Sequence, residues 1–296
     1  MKKTINIVFI NIFFIVIIFF LIDEIANCIQ FYHPKYWEGS DTSRIENSLP
    51  YDKDKKSIFT LGCSFTFGNN IEADETISYK LQKLTKRKVY NKGQSTWGPQ
   101  FVLRDIQQDE YFNGRKIVET EYFIYTFISD HIRRIYCDYF FMGSKVIYNL
   151  YSIKDNKLVL NPQKVRPINY FQVTTIAKEI NWLTFNMTSD NDKFDRLKLY
   201  LLTMKDELNK RFPDSKFVVV VYNSEADTEH NNIKPFKTDR WSELEQDGII
   251  VIRFDTPEYN FLTEKEYLAS DGQHPSAKAW DRLVPVIAQK LNLVSE

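Results

Sequence analysis

Cysteine is scarce in this chain: Cys28, Cys63 and Cys137 are the only three in 296 residues. An odd number without regular spacing excludes a disulfide framework and a zinc cluster. Histidine is almost as scarce, at four, and the four are scattered, so no metal site is expected. Neither sign of charge is in excess. Lys and Arg number 39, Asp and Glu 39, and the formal net charge is zero, which removes the electrostatic footprint of a nucleic-acid binder. No internal repeat or low-complexity tract appears beyond the first residues. What is plentiful is aromatic: 23 Phe and 17 Tyr suit a packed core and a cleft for sugar or acyl groups. The length accommodates one sizeable α/β domain with small additions.

The longest apolar run stands at the start. Met1-Lys2-Lys3 precedes a nearly continuous apolar stretch from Ile5 to Ile22, about 18 residues, near the lower limit for a spanning helix. Lys2 and Lys3 belong on the cytoplasmic side, and Asp23-Glu24 on the far side. The expectation is a single-pass, uncleaved membrane anchor over 1–24, with the rest of the protein extracytoplasmic. A cleaved signal peptide and a buried core helix are the alternatives. A signal peptide has a shorter apolar region and a small-residue cleavage site, and Asp23-Glu24-Ile25-Ala26-Asn27 offers a poor one. Residues 25–56 are polar and punctuated by Pro34 and Pro50, and read as a linker.

From residue 57 the pattern alternates. Strands are expected at 57–61, 88–91, 121–127, Lys216–Tyr222 and Ile249–Phe254. Helices are expected at 75–87, at 98–110 (opened by Gly98-Pro99, with Pro suited to a first turn), at 173–188, 192–211 and 276–291. Such alternation predicts a parallel sheet with helices on both faces, a three-layer α/β/α sandwich. Residues 138–172 break the rhythm. Val146–Tyr151 and Lys157–Leu160, joined by Ser152–Asn156, predict a hairpin in an insertion that either covers the mouth of the site or decorates the surface.

Two motifs, far apart in the chain, carry the chemistry. Gly62-Cys63-Ser64-Phe65-Thr66-Phe67-Gly68 puts a serine directly after the first strand. Asp271-Gly272-Gln273-His274-Pro275 puts an aspartate three residues before a histidine, ahead of the last helix. A serine hydroxyl is a weak nucleophile at neutral pH and needs an adjacent base. His274 can take its proton, and Asp271 can hold the other ring nitrogen. Ser64 falls where a strand ends, at the carboxyl edge of an open sheet, where ligands bind.

These two blocks resemble those of the SGNH (GDSL-like) hydrolase family. Gly62-Cys63-Ser64 stands for its usual Gly-Asp-Ser, and Asp271, His274 and Pro275 match its Asp-x-x-His-Pro. The resemblance covers about residues 57–290. It implies a flavodoxin-like central sheet within a domain over 57–296, with Ser64 as nucleophile, His274 as base and Asp271 as its orienter. It also implies an oxyanion hole from the Ser64 amide, an amide of the second block and a side chain of the third. The second block is Asn91-Lys92-Gly93-Gln94-Ser95-Thr96-Trp97-Gly98-Pro99-Gln100, in which Thr96 stands where the family often has Gly, with Gly93 as the alternative donor. In the third, Ser129 stands where the family has Asn. The implied activity is hydrolysis or transfer of ester-linked acyl groups, O-acetyl above all, without metal or organic cofactor. With the anchor, it points to an envelope or secreted polysaccharide as substrate. The competing expectation is a catalytically degenerate domain that binds glycan or scaffolds an envelope assembly.

Single residues also have plainer readings. Ser64 could cap the turn after the first strand. Cys63 could be a second nucleophile, though an unpaired cysteine is usually a small buried residue. Trp97 could stack on a sugar or pack in the core. His131 could touch substrate or stand at a solvated helix start with Arg133 and Arg134, which read as an exposed pair, and Asp130 reads as that helix's cap.

Overall fold

Strands buried on both faces need apolar residues in both phases of the pleat, and this chain supplies five such segments. The structure, a computed structural model, describes residues 49–108, 119–136, 139–142, 145–148, 150–160, 183, 185–230 and 234–294. The expected anchor, most of the linker and most of the helix expected at 173–188 lie outside them. Among the described residues no helix is long and apolar enough to cross a membrane.

The chain forms β1 (Ser57–Gly62), α1 (Ser64–Phe67), α2 (Ile77–Thr85), β2 (Val89–Gly93), α3 (Pro99–Gln107), β3 (Thr120–Phe127) and α4 (Asp130–Tyr136). Four short strands follow: β4 (Tyr139–Met142), β5 (Lys145–Tyr148), β6 (Tyr151–Lys154) and β7 (Lys157–Leu160). Then come α5 (Asp190–Arg211), β8 (Lys216–Tyr222), α6 (Glu225–His230), α7 (Trp241–Gln246), β9 (Ile250–Phe254) and α8 (Ala277–Lys290). The main sheet runs β2-β1-β3-β8-β9, parallel throughout. This is the flavodoxin-like 2-1-3-4-5 order, whose switch point lies between the first and third strands, at their carboxyl ends. Ser64 follows β1 at that point.

Alternate strand residues feed two cores. Phe59, Leu61, Phe123, Tyr125, Phe127, Val219 and Val221 pack with apolar residues of α3, α4, α5 and α7. Ile58, Tyr122, Ile124, Val218, Val220 and Ile252 pack on the other face with Ile77 and Leu81 of α2 and Trp280, Leu283 and Ile287 of α8. The result is the three-layer sandwich that the alternation predicts.

Several boundaries differ from expectation. α2 begins only at Ile77 because Thr76 caps it, accepting the Tyr79 N–H at 3.3 Å. β2 runs on to Gly93, since Leu61 and Gly62 pair with Lys92 and Gly93. α5 opens at Asp190 because Ser189 accepts the Asp192 N–H. The hairpin is the larger correction. The run 146–151 is not one strand: β5 pairs back with β4, and β6 pairs with β7. The reason is the turn. Asp155 and Asn156 both have positive φ (49° and 56°), as a two-residue type I′ hairpin loop requires, so Ser152–Lys154 belong to a strand and not to a connection.

Candidate active site

The first block is built for abrupt reversal. Gly62 ends β1 at φ 146°, and a Cβ there would stand 2.5 Å from Thr66 Oγ1, so only glycine allows the strand to turn at once into α1. Ser64 is the first residue of α1 and 7% exposed. Gly93, on the adjacent strand, sits so close beneath α1 that a Cβ would meet Phe67 N at 2.3 Å. Asn91 locks the same junction: its side-chain amide donates to Thr66 O at 3.1 Å, and its Oδ1 accepts the Gly93 N–H at 2.9 Å.

The last block is a tight turn closed by the Ala269 N–H on His274 O at 2.7 Å. Asp271 organises it from within. Its Oδ1 accepts the Gln273 and His274 N–H groups at 3.0 and 3.1 Å. Its Oδ2 faces His274 Nδ1 at 2.5 Å and accepts from Asn70 Nδ2 at 2.6 Å. Burial pushes the Asp271 carboxyl up, but the hydrogen bonds from Gln273 and His274 outweigh it and hold the group below the usual carboxylate range. An ionised carboxylate only accepts, so Nδ1 carries the ring proton and Nε2 is left as an acceptor. His274 Nε2 stands 2.8 Å from Ser64 Oγ. The structure thus brings Ser64, His274 and Asp271 into one hydrogen-bonded line. The ring of Phe65 packs against the imidazole at 5.1 Å.

Asn70 escaped the sequence reading. It lies two residues past the first block, in a left-handed conformation (φ 60°), and the only signal for it was an Asn-Asn pair in a turn. Replacing Asn70 by Ala removes one donor to the ionised Asp271 carboxylate and is expected to raise the pKa of that carboxyl. An NMR titration of the Asp271 carboxyl carbon in the two proteins checks this.

The three residues proposed for the oxyanion hole fare differently. Gly93 is corrected: its N–H is committed to Asn91, and its role is close packing. Thr96 has φ 74°, a genuine outlier for a β-branched residue, and among the described residues its N–H has no partner. The conformation usually given to glycine is thus imposed on threonine, a strain of about 1–3 kcal/mol. Thr96→Gly is expected to stabilise the protein by about 1 kcal/mol, a Tm rise of about 2–4 °C by calorimetry, with the backbone amide left in place. Ser129 donates its N–H to Ser224 Oγ at 3.0 Å. Its own hydroxyl has no partner among the described residues, and it lines a cavity shared with β8 and β9.

The plainer readings hold for some residues. Cys63 is fully buried, and Trp97 is buried against Phe101 with ring centroids 5.9 Å apart. Others need correction. His131 is fully buried, not solvated. Its Nδ1 is 2.6 Å from the Tyr125 hydroxyl, and burial, then the Arg134 charge, push its pKa well below the usual imidazole value. Arg134 is also buried. It donates to Asp130 Oδ2 at 2.7 Å and to Trp97 O at 2.6 Å, tying α4 to the loop that carries Thr96. Asp130 caps nothing: its carboxylate is taken by Arg133 and Arg134. Burial pushes it up, but the two guanidinium charges hold it far below the usual range. A larger cavity, about 420 Å³, lies at the amino ends of the strands among charged residues such as Lys56, Arg87, Glu121 and Lys216. It is on the opposite edge of the sheet from Ser64 and offers no serine–histidine pair.

No family model matches the sequence, and no curated protein matches it. Solved structures of similar fold are lipolytic proteins of the G-D-S-L type and carbohydrate esterases. One is a member of the lipolytic protein G-D-S-L family from Veillonella parvula DSM 2008, at 10% identity and TM-score 0.43, covering 80% of this chain and 97% of that one. Another is TesA, at 11% identity and TM-score 0.46, covering 81% of this chain and 100% of that one. A third is an acetyl xylan esterase from the rumen bacterium Butyrivibrio proteoclasticus, at 11% identity and TM-score 0.44, covering 83% of this chain and 66% of that one. These are likenesses of fold; at such identities and scores no residue role or substrate passes from them to this chain.

Proposed function

We propose that the chain is a serine esterase of the SGNH type that removes ester-linked acyl groups, chiefly O-acetyl. The observation that carries this reading is the Ser64 Oγ–His274 Nε2 approach of 2.8 Å, with Asp271 behind the ring at 2.5 Å. That distance lies within the reach a general base needs. Ser64 Oγ bonds to the ester carbonyl carbon while its proton passes to His274 Nε2. Asp271 holds the imidazolium that forms. The tetrahedral oxyanion is held by the Ser64 amide, which as the first of a helix has no intrahelical acceptor, and by the Thr96 amide. Collapse breaks the carbonyl–alcohol bond, and His274 returns the proton to the leaving alcohol. Water, or a second alcohol, then releases the acyl group by the same steps in reverse.

The substrate we propose is an O-acylated glycan of the cell envelope or a secreted polysaccharide, met by a domain held outside the cytoplasm by the apolar segment Ile5–Ile22. A chromogenic short-chain acetyl ester tests the activity. Turnover that survives Cys63→Ala and disappears in Ser64→Ala supports the reading. Absence of turnover with intact glycan binding would replace it with a binding module. Protease protection in right-side-out vesicles tests the location: a domain digested only after the vesicles are lysed would overturn it.

A further inference from the structure

The carboxyl edge of the sheet has a second feature that the hydrogen-bonded line at Ser64 does not use. A cavity of about 120 Å³ opens where β3, β8 and β9 end. In the sheet order, β3 is the neighbour of β1, so the cavity begins one strand spacing, about 4.8 Å, from the strand that delivers Ser64. Its wall is joined to the site through two packed rings. Tyr222 lines it and packs edge-on against Phe65 at 5.3 Å, and Phe65 packs on His274.

The lining is polar and charge-balanced. Ser129 and Asn223 present a hydroxyl and a side-chain amide. Asn223 Oδ1 is used by the Glu225 N–H at 3.2 Å, but its NH₂ group has no partner among the described residues, nor does the Ser129 hydroxyl. Arg253 clasps Asp255 with two hydrogen bonds, 2.8 and 3.1 Å, and Lys237 pairs with Glu225 at 3.0 Å. Each cation is thus matched by a carboxylate, which gives no net attraction for an anion. Phe236 supplies an apolar wall. At about 120 Å³ the cavity has room for the hydroxyl-bearing edge of one ring. An acyl chain placed there would strip water from Ser129, Asn223 and the Arg253–Asp255 pair without replacing its hydrogen bonds, which disfavours it.

We infer that this cavity binds the polyhydroxyl alcohol half of the ester, a sugar ring, while the short acyl group stays at Ser64. The inference rests on the esterase reading and names which side of the substrate is recognised, and where. Unpartnered donors beside matched acid–base pairs suit vicinal hydroxyls, which both donate and accept. A site built to hydrogen-bond a hydroxyl also discriminates strongly against an analogue that lacks it.

Asn223→Asp is the informative variant. It keeps an Oδ1 acceptor for the Glu225 amide, replaces the NH₂ donors by an acceptor oxygen and adds one negative charge, whose effect on the chemistry the nitrophenyl ester reports separately. Wild type and variant are compared on methyl 6-O-acetyl-β-glucopyranoside and on 4-nitrophenyl acetate, which share the acyl group. The expected result is a fall of about tenfold in kcat/KM on the sugar ester, expressed in KM, with the nitrophenyl ester unchanged within about twofold. Equal loss on both esters, or loss on neither, overturns the inference. A second measurement does not depend on turnover. Saturation-transfer NMR of methyl β-glucopyranoside and methyl β-xylopyranoside on Ser64→Ala should show transfer that weakens in Ser64→Ala/Asn223→Asp. Transfer to neither glycoside overturns the inference. Wild type that cleaves neither ester overturns the esterase reading and leaves the glycoside measurement to decide on the cavity.

Discussion

Ser64→Ala is expected to abolish ester turnover, with a loss in kcat of about a millionfold. The variant should still fold, because the one hydrogen bond of the Ser64 side chain goes to His274, and the bonds of its backbone carbonyl to the Gly68 and Asn69 N–H groups are kept by alanine. The sharper form of the prediction is non-additive. If Ser64, His274 and Asp271 act as one unit, Ser64→Ala/His274→Ala should be no worse than either single change, because the second substitution removes a partner that already has nothing to do. Residual activity of both single variants above background, with a further drop in the double, would mean that the two side chains do not share a step. Burst kinetics on a slowly deacylating ester supply an independent check, since an acyl-enzyme needs the Ser64 oxygen.

Asp271→Asn is expected to cost about 10⁴-fold in kcat. The arrangement of the turn gives the reason. An amide at 271 can offer its NH₂ to His274 Nδ1 and so favours the ring tautomer with the proton on Nε2, facing Ser64, which is useless to a general base. The same substitution tests a pH effect. The folded pKa of Asp271 lies below its ordinary value, so its ionised form is favoured by the fold. Its contribution to stability is complete above the unfolded carboxylate pKa and is lost as the pH falls through the lower, folded value. Wild-type stability should therefore decline more steeply on acidification across that window than that of Asp271→Asn, measured by urea unfolding at a series of pH values. Parallel curves would mean that the carboxylate is not held by the turn.

The five parallel strands were legible because each is apolar in both phases, a pattern that helices of similar length do not share, and Ser64, Asp271 and His274 were legible because their spacing within each block is local. What escaped the sequence was contact at long range. Asn70 meets Asp271 across 201 residues, and nothing in either segment announces the other. The burial of His131 and Arg134 was misread for the same cause. Polar residues at a helix start look solvated until their partners, Tyr125, Asp130 and the Trp97 carbonyl, are brought to them by the sheet order. The hairpin error was of another kind. Apolar residues on both sides of Asn149 read as one run, and the Asp155-Asn156 turn, a two-residue loop signal, was absorbed into a longer connection. Thr96 shows the reverse. Its departure from glycine was visible, but only the backbone reveals that the threonine takes the left-handed conformation that glycine favours.

The hydrogen bond between Ser64 and His274 joins residues 210 positions apart, and this sets an order of assembly. The hydroxyl meets the imidazole only once the Asp271–His274 turn has docked on the carboxyl edge of the sheet. A polypeptide stopped short of Asp271 lacks both imidazole and carboxylate there, however well its strands assemble.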